Sequence, residues 1–197
     1  MIYISYYTKE TPYETVINTH LLPSLKKGNL KYDIQGIQDL GNWNANTAYK
    51  AKFIREMLEK HKEDVVFLDA DATIEKNPIL FEQIPEKYDL AYFQMDWYLH
   101  WRNEKGRKKR ELLSGTMMFR YNPKVIHLTH IYEQYCKKNP RMWEQKVLQT
   151  VLECPNTLKI YNLPATYCAV VNHSNVLPSY IKDPVIVHWQ ASRKFKK

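Results

Sequence analysis

Val65-Val66-Phe67-Leu68-Asp69-Ala70-Asp71 is an unbroken apolar run of four residues that delivers two carboxylates at its end. With no polar alternation, the run reads as a short strand covered on both faces, as in a parallel sheet between layers of helices. In open α/β sheets ligands gather outside the carboxyl ends of the strands, so a pair of aspartates placed there is positioned for chemistry. Side chains at i and i+2 of an extended chain point the same way, with Cα atoms about 6.6 Å apart. Two such carboxylates suit one hard cation, which in turn bridges phosphates. The same residues also suit a plain turn, because aspartate is a turn former.

Outward from this run, strands and helices alternate. Toward the N-terminus, residues 2–7 are β-rich. Val16, Ile17, Leu21, Leu22 and Leu25 then recur at helical spacing, 32–37 alternates as a strand, and a helix covers 47–60 after the turn-rich 41–46. Toward the C-terminus come the turn signal Asn77-Pro78, a strand over 89–94, and a polar, basic segment over 96–111 that is too charged for a core. A strand over 116–120, a helix over 125–135, a helix marked by Trp143, Val147, Leu148, Val151 and Leu152, and a last strand over 185–188 complete the pattern. This order predicts an α/β fold: one domain over 1–197 with a mostly parallel central sheet flanked by helices. The basic tail over 190–197 is expected to be mobile without ligand.

The 197 residues have room for about one domain and for a core that needs no staple. Lys and Arg number 29 against 21 Asp and Glu, a formal charge of +8 that favours phosphate-bearing partners. No stretch approaches the ~18 apolar residues of a membrane span. Met1-Ile2-Tyr3-Ile4-Ser5-Tyr6-Tyr7-Thr8 reads as a first strand, not an export signal. Cys136, Cys154 and Cys168 form no C-x-x-C arrangement, so buried, inert thiols in a reducing cytoplasm are expected.

Five segments in order resemble the GT-A glycosyltransferases that use nucleotide-diphospho-sugar donors, family 8 and its relatives. Phe67-Leu68-Asp69-Ala70-Asp71-Ala72-Thr73-Ile74 with Asn77-Pro78 resembles their D-x-D segment. Lys50-Ala51-Lys52-Phe53-Ile54-Arg55-Glu56-Met57-Leu58 is similar to the Lys-bearing helix before it. Leu113-Ser114-Gly115-Thr116-Met117-Met118-Phe119-Arg120 is similar to the S-G-x-x-x-F strand, and Trp143-Glu144-Gln145 to the D-Q pair opening a helix. His188-Trp189-Gln190-Ala191-Ser192-Arg193-Lys194 resembles the closing H-F-x-G-x-x-K segment, with Ala191 where Gly is expected and Phe195 in place of Pro after the Lys.

The resemblance implies a single Rossmann-like GT-A domain and a metal-dependent transfer of a hexose, from UDP-hexose above all, to a hydroxyl acceptor, with retention favoured. It implies Mn or Mg ligated by Asp71 and His188, with Asp69 reaching the metal through water or contacting the donor ribose. Tyr7 and Thr8 would border the nucleotide base. Lys52, Ala70, Ser114 and Gly115 would line the donor site, and Lys194 would pair with the diphosphate. Glu144 would serve as base or sugar-hydroxyl acceptor, Gln145 would lie beside the anomeric carbon, and Asp96 with Trp97 would contact a sugar. Chemistry asks for the same residue types, because breaking a sugar–phosphate bond builds negative charge on the leaving oxygen.

The run Lys105-Gly106-Arg107-Lys108-Lys109-Arg110 reads as a solvated loop or as an attractor for an anionic acceptor: a glycan, a lipid-linked glycan at a membrane surface, lipopolysaccharide, or nucleic acid. Trp97, Tyr98, His100 and Trp101 add stacking surfaces beside it. Two rivals compete. The segment 66–73 also fits the h-h-h-D-x-D-x-T motif of haloacid-dehalogenase-type phosphatases, with Asp69 as nucleophile and Asp71 as acid/base. That chemistry needs a second acidic pair, which Glu104, Glu111, Glu133, Glu144, Glu153 and Asp183 do not form. A basic nucleic-acid-binding module would explain the charge and the aromatics but not the aspartate pair.

Overall fold

In a computed structural model that describes residues 1–101 and 109–195, β3 (Val65–Leu68) runs through the centre of the molecule. All four of its side chains are at most 2% exposed. Val65 and Phe67 point into one apolar layer with Phe53, Ile54, Tyr132 and Leu148, while Val66 and Leu68 point into the other with Ile17, Leu21, Phe81 and Met118. The missing alternation in its sequence thus reflects two buried faces, each side chain contributing roughly 1.5–3 kcal/mol on leaving water.

β1 (Ile2–Thr8), β2 (Tyr32–Ile37), β5 (Leu90–Asp96), β6 (Arg110–Phe119) and β7 (Ile160–Asn162) complete a six-stranded sheet of order β2-β1-β3-β6-β5-β7. The β1–β2, β1–β3 and β5–β7 pairs are parallel, and β6 runs against both of its neighbours, so the sheet is mostly parallel as expected. One face carries α3 (Trp43–His61), α6 (Pro123–Lys138) and α7 (Glu144–Glu153); the other carries α1 (Pro12–Thr19), α2 (Leu21–Lys27) and α4 (Leu80–Gln83). A second sheet of order β4-β9-β8 joins β4 (Ala72–Ile74), β8 (Ala169–Val170) and β9 (Ile186–His188). Its antiparallel β4–β9 pair sets Ala72 opposite His188 and so brings the end of the chain back to the aspartates.

Several boundaries differ from the sequence reading for local reasons. The helix expected to span Val16 to Leu25 breaks at His20, because in a continuous helix Pro23 would have to donate to the Thr19 carbonyl and has no N–H. The asparagines that read as a turn start α3: Asn42 accepts a bond from the Ala45 N–H at 2.9 Å and caps it. β6 begins inside the segment that is too charged for a core, its first residue pairing with the last of β5, where the Arg110 guanidinium meets the Asp96 carboxylate at 2.8 Å. Trp97–Trp101 forms a short helix, α5. β4 and β8, three and two residues long, are too short for any periodicity.

Cys136 and Cys168 are buried as expected, but Cys154 is exposed at the end of α7. Burial pushes the Cys136 thiol up to about 12, keeping it inert. The tail residues 192–195 form a seated helix, α8 (Ser192–Phe195), in which Arg193 donates to the Val171 carbonyl at 3.0 Å and the Phe195 ring meets Tyr13 edge-on at 5.8 Å. Lys105, Gly106, Arg107 and Lys108 of the basic run lie outside the described residues. No helix among the described residues is long and apolar enough to cross a membrane.

Candidate metal and donor site

The chain leaves β3 at Leu68 and turns at once. Asp69 N–H donates to the Gly115 carbonyl at 2.9 Å, and Ala72 N–H closes the turn on the Asp69 carbonyl at 3.0 Å. Asp69 and Asp71 therefore converge through a turn and not along an extended strand, which corrects the spacing expected of them. Asp71 accepts a bond from the Ala191 N–H at 2.8 Å, and its other oxygen lies 3.6 Å from Nδ1 of His188. Asp69, Asp71 and His188 each offer a ligand atom within 4.8 Å of the other two, a donor set of two carboxylates and an imidazole that fits a divalent metal ion.

β6 shapes the floor of this cluster. Its pairing with β5 jumps from Tyr92–Met117 to Phe93–Leu113, so Ser114, Gly115 and Thr116 have no opposite number on β5 and bulge at the end of β3. A Cβ on Gly115 would lie 2.8 Å from Cε1 and 3.0 Å from Nδ1 of His188, and 3.2 Å from Oδ2 of Asp69. Only glycine leaves the ring and the carboxylate room there. Thr116 Oγ1 meets His188 Nε2 at 2.8 Å, with both side chains buried, so Nδ1 is the nitrogen turned toward the aspartates.

Behind Asp69 stands Lys50. Its ammonium lies 3.0 Å from Asp69 Oδ1 and 2.7 Å from Glu144 Oε1, and donates to Ser114 Oγ at 3.1 Å. Glu144 is buried, its second oxygen taken by the Tyr132 hydroxyl and its first shared with Ser114 Oγ at 2.6 Å. Burial alone would favour neutral Lys50, but the Asp69 and Glu144 charges hold its pKa above the ordinary lysine value. Desolvation and the charge of Asp71 push the Asp69 carboxyl up, against the pull of Lys50. Burial also works against Asp71, yet His188 and the Ala191 N–H bring it below the usual range. Despite its own burial, His188 is pushed up to about 10 by the Cys168 sulfur and Asp71.

The other expected site residues fall into two groups. Ala70, Ser114 and Gly115 border the cluster. Tyr7 and Thr8 lie at the carboxyl end of β1 on the same edge of the sheet, Thr8 Oγ1 bonded to Thr11 Oγ1 at 2.8 Å. Lys194 is exposed on α8. Lys52 faces away from the site, its ammonium 3.5 Å from Glu56, so the lysine that α3 contributes is Lys50. The sequence carried a signal for this: Lys50 shares the apolar stripe of Ile54 and Met57, whereas Lys52 shares the polar one with Glu56. Glu144 is placed with both oxygens already bonded. Gln145 is tied down as well, accepting from the Ser114 N–H at 3.1 Å and donating to Glu111 at 2.7 Å. Asp96 is paired with Arg110 and accepts from the Leu99 N–H at 3.1 Å, outside the cluster. Thr116 and Cys168, which line His188, were not anticipated.

Two surface cavities flank these residues. The larger, about 630 Å3, is lined by Val187 and Trp189 but by none of the three cluster residues. The smaller, about 410 Å3, borders Gln145.

Among solved structures, the chain is similar to a glycosyltransferase involved in the glycosylation of the major capsid of PBCV-1, with a TM-score of 0.69, 15% identity, and 96% of this chain and 92% of that chain covered. It is also similar to mouse xyloside xylosyltransferase 1 in its apo form, with a TM-score of 0.58, 12% identity, and 98% and 99% covered. For the galactosyltransferase LgtC in complex with donor and acceptor sugar analogues, the TM-score is 0.57 at 9% identity, with 97% and 87% covered. At such identities the likeness is one of fold. No curated protein sequence matches the chain. Residues 37–196, however, match the nucleotide-diphospho-sugar transferase model, the stretch that holds Lys50, the aspartate turn, the β6 bulge and His188. With that match over most of its length and with a GT-A fold, the chain belongs to the nucleotide-diphospho-sugar transferase family.

Proposed function

We propose that the protein moves a hexose from a nucleoside-diphosphate sugar, UDP-hexose above all, to a hydroxyl of an acceptor glycan, with Mn or Mg held by Asp69, Asp71 and His188. The observation that carries this reading is the convergence of those three side chains within 4.8 Å at the carboxyl end of β3. A divalent cation there supplies positive charge to the diphosphate as the leaving oxygen becomes negative.

The chain's own residues do the positioning. Lys50 aims Asp69 from behind, and Glu144, with Ser114 and Tyr132, holds Lys50 in place, so Glu144 is a positioning residue and not the base. Thr116 Oγ1 meets Nε2 of His188 and so turns Nδ1 toward the aspartates, where a bound metal would take the place of the Nδ1 proton. Lys194 closes on the diphosphate from α8. Retention of configuration is part of the same proposal. A cytoplasmic location, with contact to a membrane surface through basic residues, belongs to the same reading.

The test is calorimetric titration with UDP, with and without Mn, on wild type and Asp71→Asn. Wild type binds UDP more tightly with Mn, and the variant loses that increment while keeping its fold by circular dichroism. An increment of equal size in the variant overturns the assignment. A panel of nucleotide sugars read by slow donor hydrolysis then identifies the sugar.

A further inference from the structure

The cavity beside Gln145 is built differently from the metal cluster. Trp97 and Trp143 wall it, and Lys109, Arg141 and Lys146 bring positive charge to it. Its one carboxylate, Glu111, is engaged by Trp97 Nε1 and by Gln145 Nε2 at 2.7 Å, which fixes the indole as one wall. Lys109 Nζ sits 3.4 Å from the centroid of that indole. Arg110 is neutralised by Asp96 at 2.8 Å, whereas Lys109, Arg141 and Lys146 have no carboxylate partner among the described residues. Three such cations around one concavity repel each other unless an anion is bound.

A line of side chains joins this cavity to the cluster. Asp69 meets Lys50, Lys50 meets Ser114, and Gln145 bridges Ser114 to Glu111. Ser114 and Glu111 are three residues apart on β6, about 10 Å of strand. The cavity thus borders the same strand that forms the floor of the cluster.

We infer that this cavity binds the acceptor, and that the acceptor is an anionic oligosaccharide carrying a carboxylate or phosphate on a ring other than the one that is glycosylated. The inference rests on the donor reading above. The Trp97 indole, with Lys109 over one face, gives the cavity an apolar wall, and the cations receive the charged substituent of the acceptor through charge-assisted hydrogen bonds. The volume of about 410 Å3 lies in the range of small-molecule sites, whereas nucleic acid asks for a basic stripe along its backbone.

The probes are a disaccharide ending in glucuronic acid, the same disaccharide carrying a 6-phosphate instead, and the neutral parent, each followed by tryptophan fluorescence with and without UDP and Mn. The expected result is that one or both acidic probes bind about tenfold more tightly than the parent, which of the two being the better identifying the anion. The double variant Arg141→Gln/Lys146→Gln loses this preference and keeps Mn-dependent UDP binding. Equal binding of all three probes, or a preference that survives in the double variant, overturns the inference. Tighter binding of an oligo-dT strand than of either acidic probe also overturns it, giving the cavity to nucleic acid. Failure of the donor reading would register separately, as absent Mn-dependent UDP binding in wild type.

Discussion

Lys50 stands between Asp69 and Glu144 with 4% of its side chain exposed, so its charge is compensated on two sides and hydrated on none. Removing it strands a buried carboxylate. Lys50→Met should therefore cost about 3–5 kcal/mol in urea unfolding, more than the loss of one hydrogen bond. Adding Glu144→Gln removes the stranded charge while keeping partners for Ser114 and Tyr132, so the double variant should recover much of that loss. Additive losses in the double-mutant cycle would show that the two residues are not coupled. At this scale the sequence was legible where residue type and strand position agreed, as for Asp69, Asp71 and His188. It misled where neighbours compete for one role. Lys50 and Lys52 are separated by two positions of α3, about 200° of helix, and only the stripe they share with Ile54 or Glu56 tells them apart. Thr116 carries no motif signal of its own, because its meeting with His188 spans 72 residues and depends on two sheets approaching each other.

β6 is the element that converts a sheet edge into a site. Its bulge gives the chain three residues, Ser114, Gly115 and Thr116, that serve the cluster instead of the ladder with β5. Gly115→Ala tests this, since the added methyl meets an imidazole and a carboxylate before anything flexible. The variant should fold, with a loss of about 1–3 kcal/mol for local overpacking, and its Mn-dependent gain in UDP affinity should fall at least about tenfold by calorimetry. An unchanged gain would show that His188 and Asp69 tolerate displacement. The end of β6 was readable from its composition as a strand over 116–120, whereas its start at Arg110 was not. The bulge was not, because an irregularity in pairing belongs to two strands at once and leaves the hydrophobic order of either one intact.

Across the whole molecule the second sheet folds the C-terminal segment back onto the aspartate turn. Gln190 takes a left-handed φ of 56°, which turns the Ala191 N–H toward Asp71, so the glycine expected at 191 is not required there. Truncation after Ser192 deletes the Arg193–Val171 bond and the Phe195–Tyr13 contact. It should lower the melting temperature by about 2–4 °C for each kcal/mol lost. It should also raise donor hydrolysis relative to transfer, through the loss of Lys194. A truncated protein with unchanged melting temperature and full transfer would leave the tail without a role. The alternation of strands and helices made the fold class readable. The position of β6 was not, since a single reversed strand in a parallel set has the same composition as its neighbours. That reversed strand has a consequence for the birth of the chain. β1, β2, β3 and α3 leave the ribosome as a parallel unit whose β3 edge stays open until β6, about fifty residues later, arrives to cover it. At ~5–20 residues per second, Val65–Leu68 spends several seconds as an uncapped apolar edge, making the nascent N-terminal half the stage at which this protein most needs a chaperone.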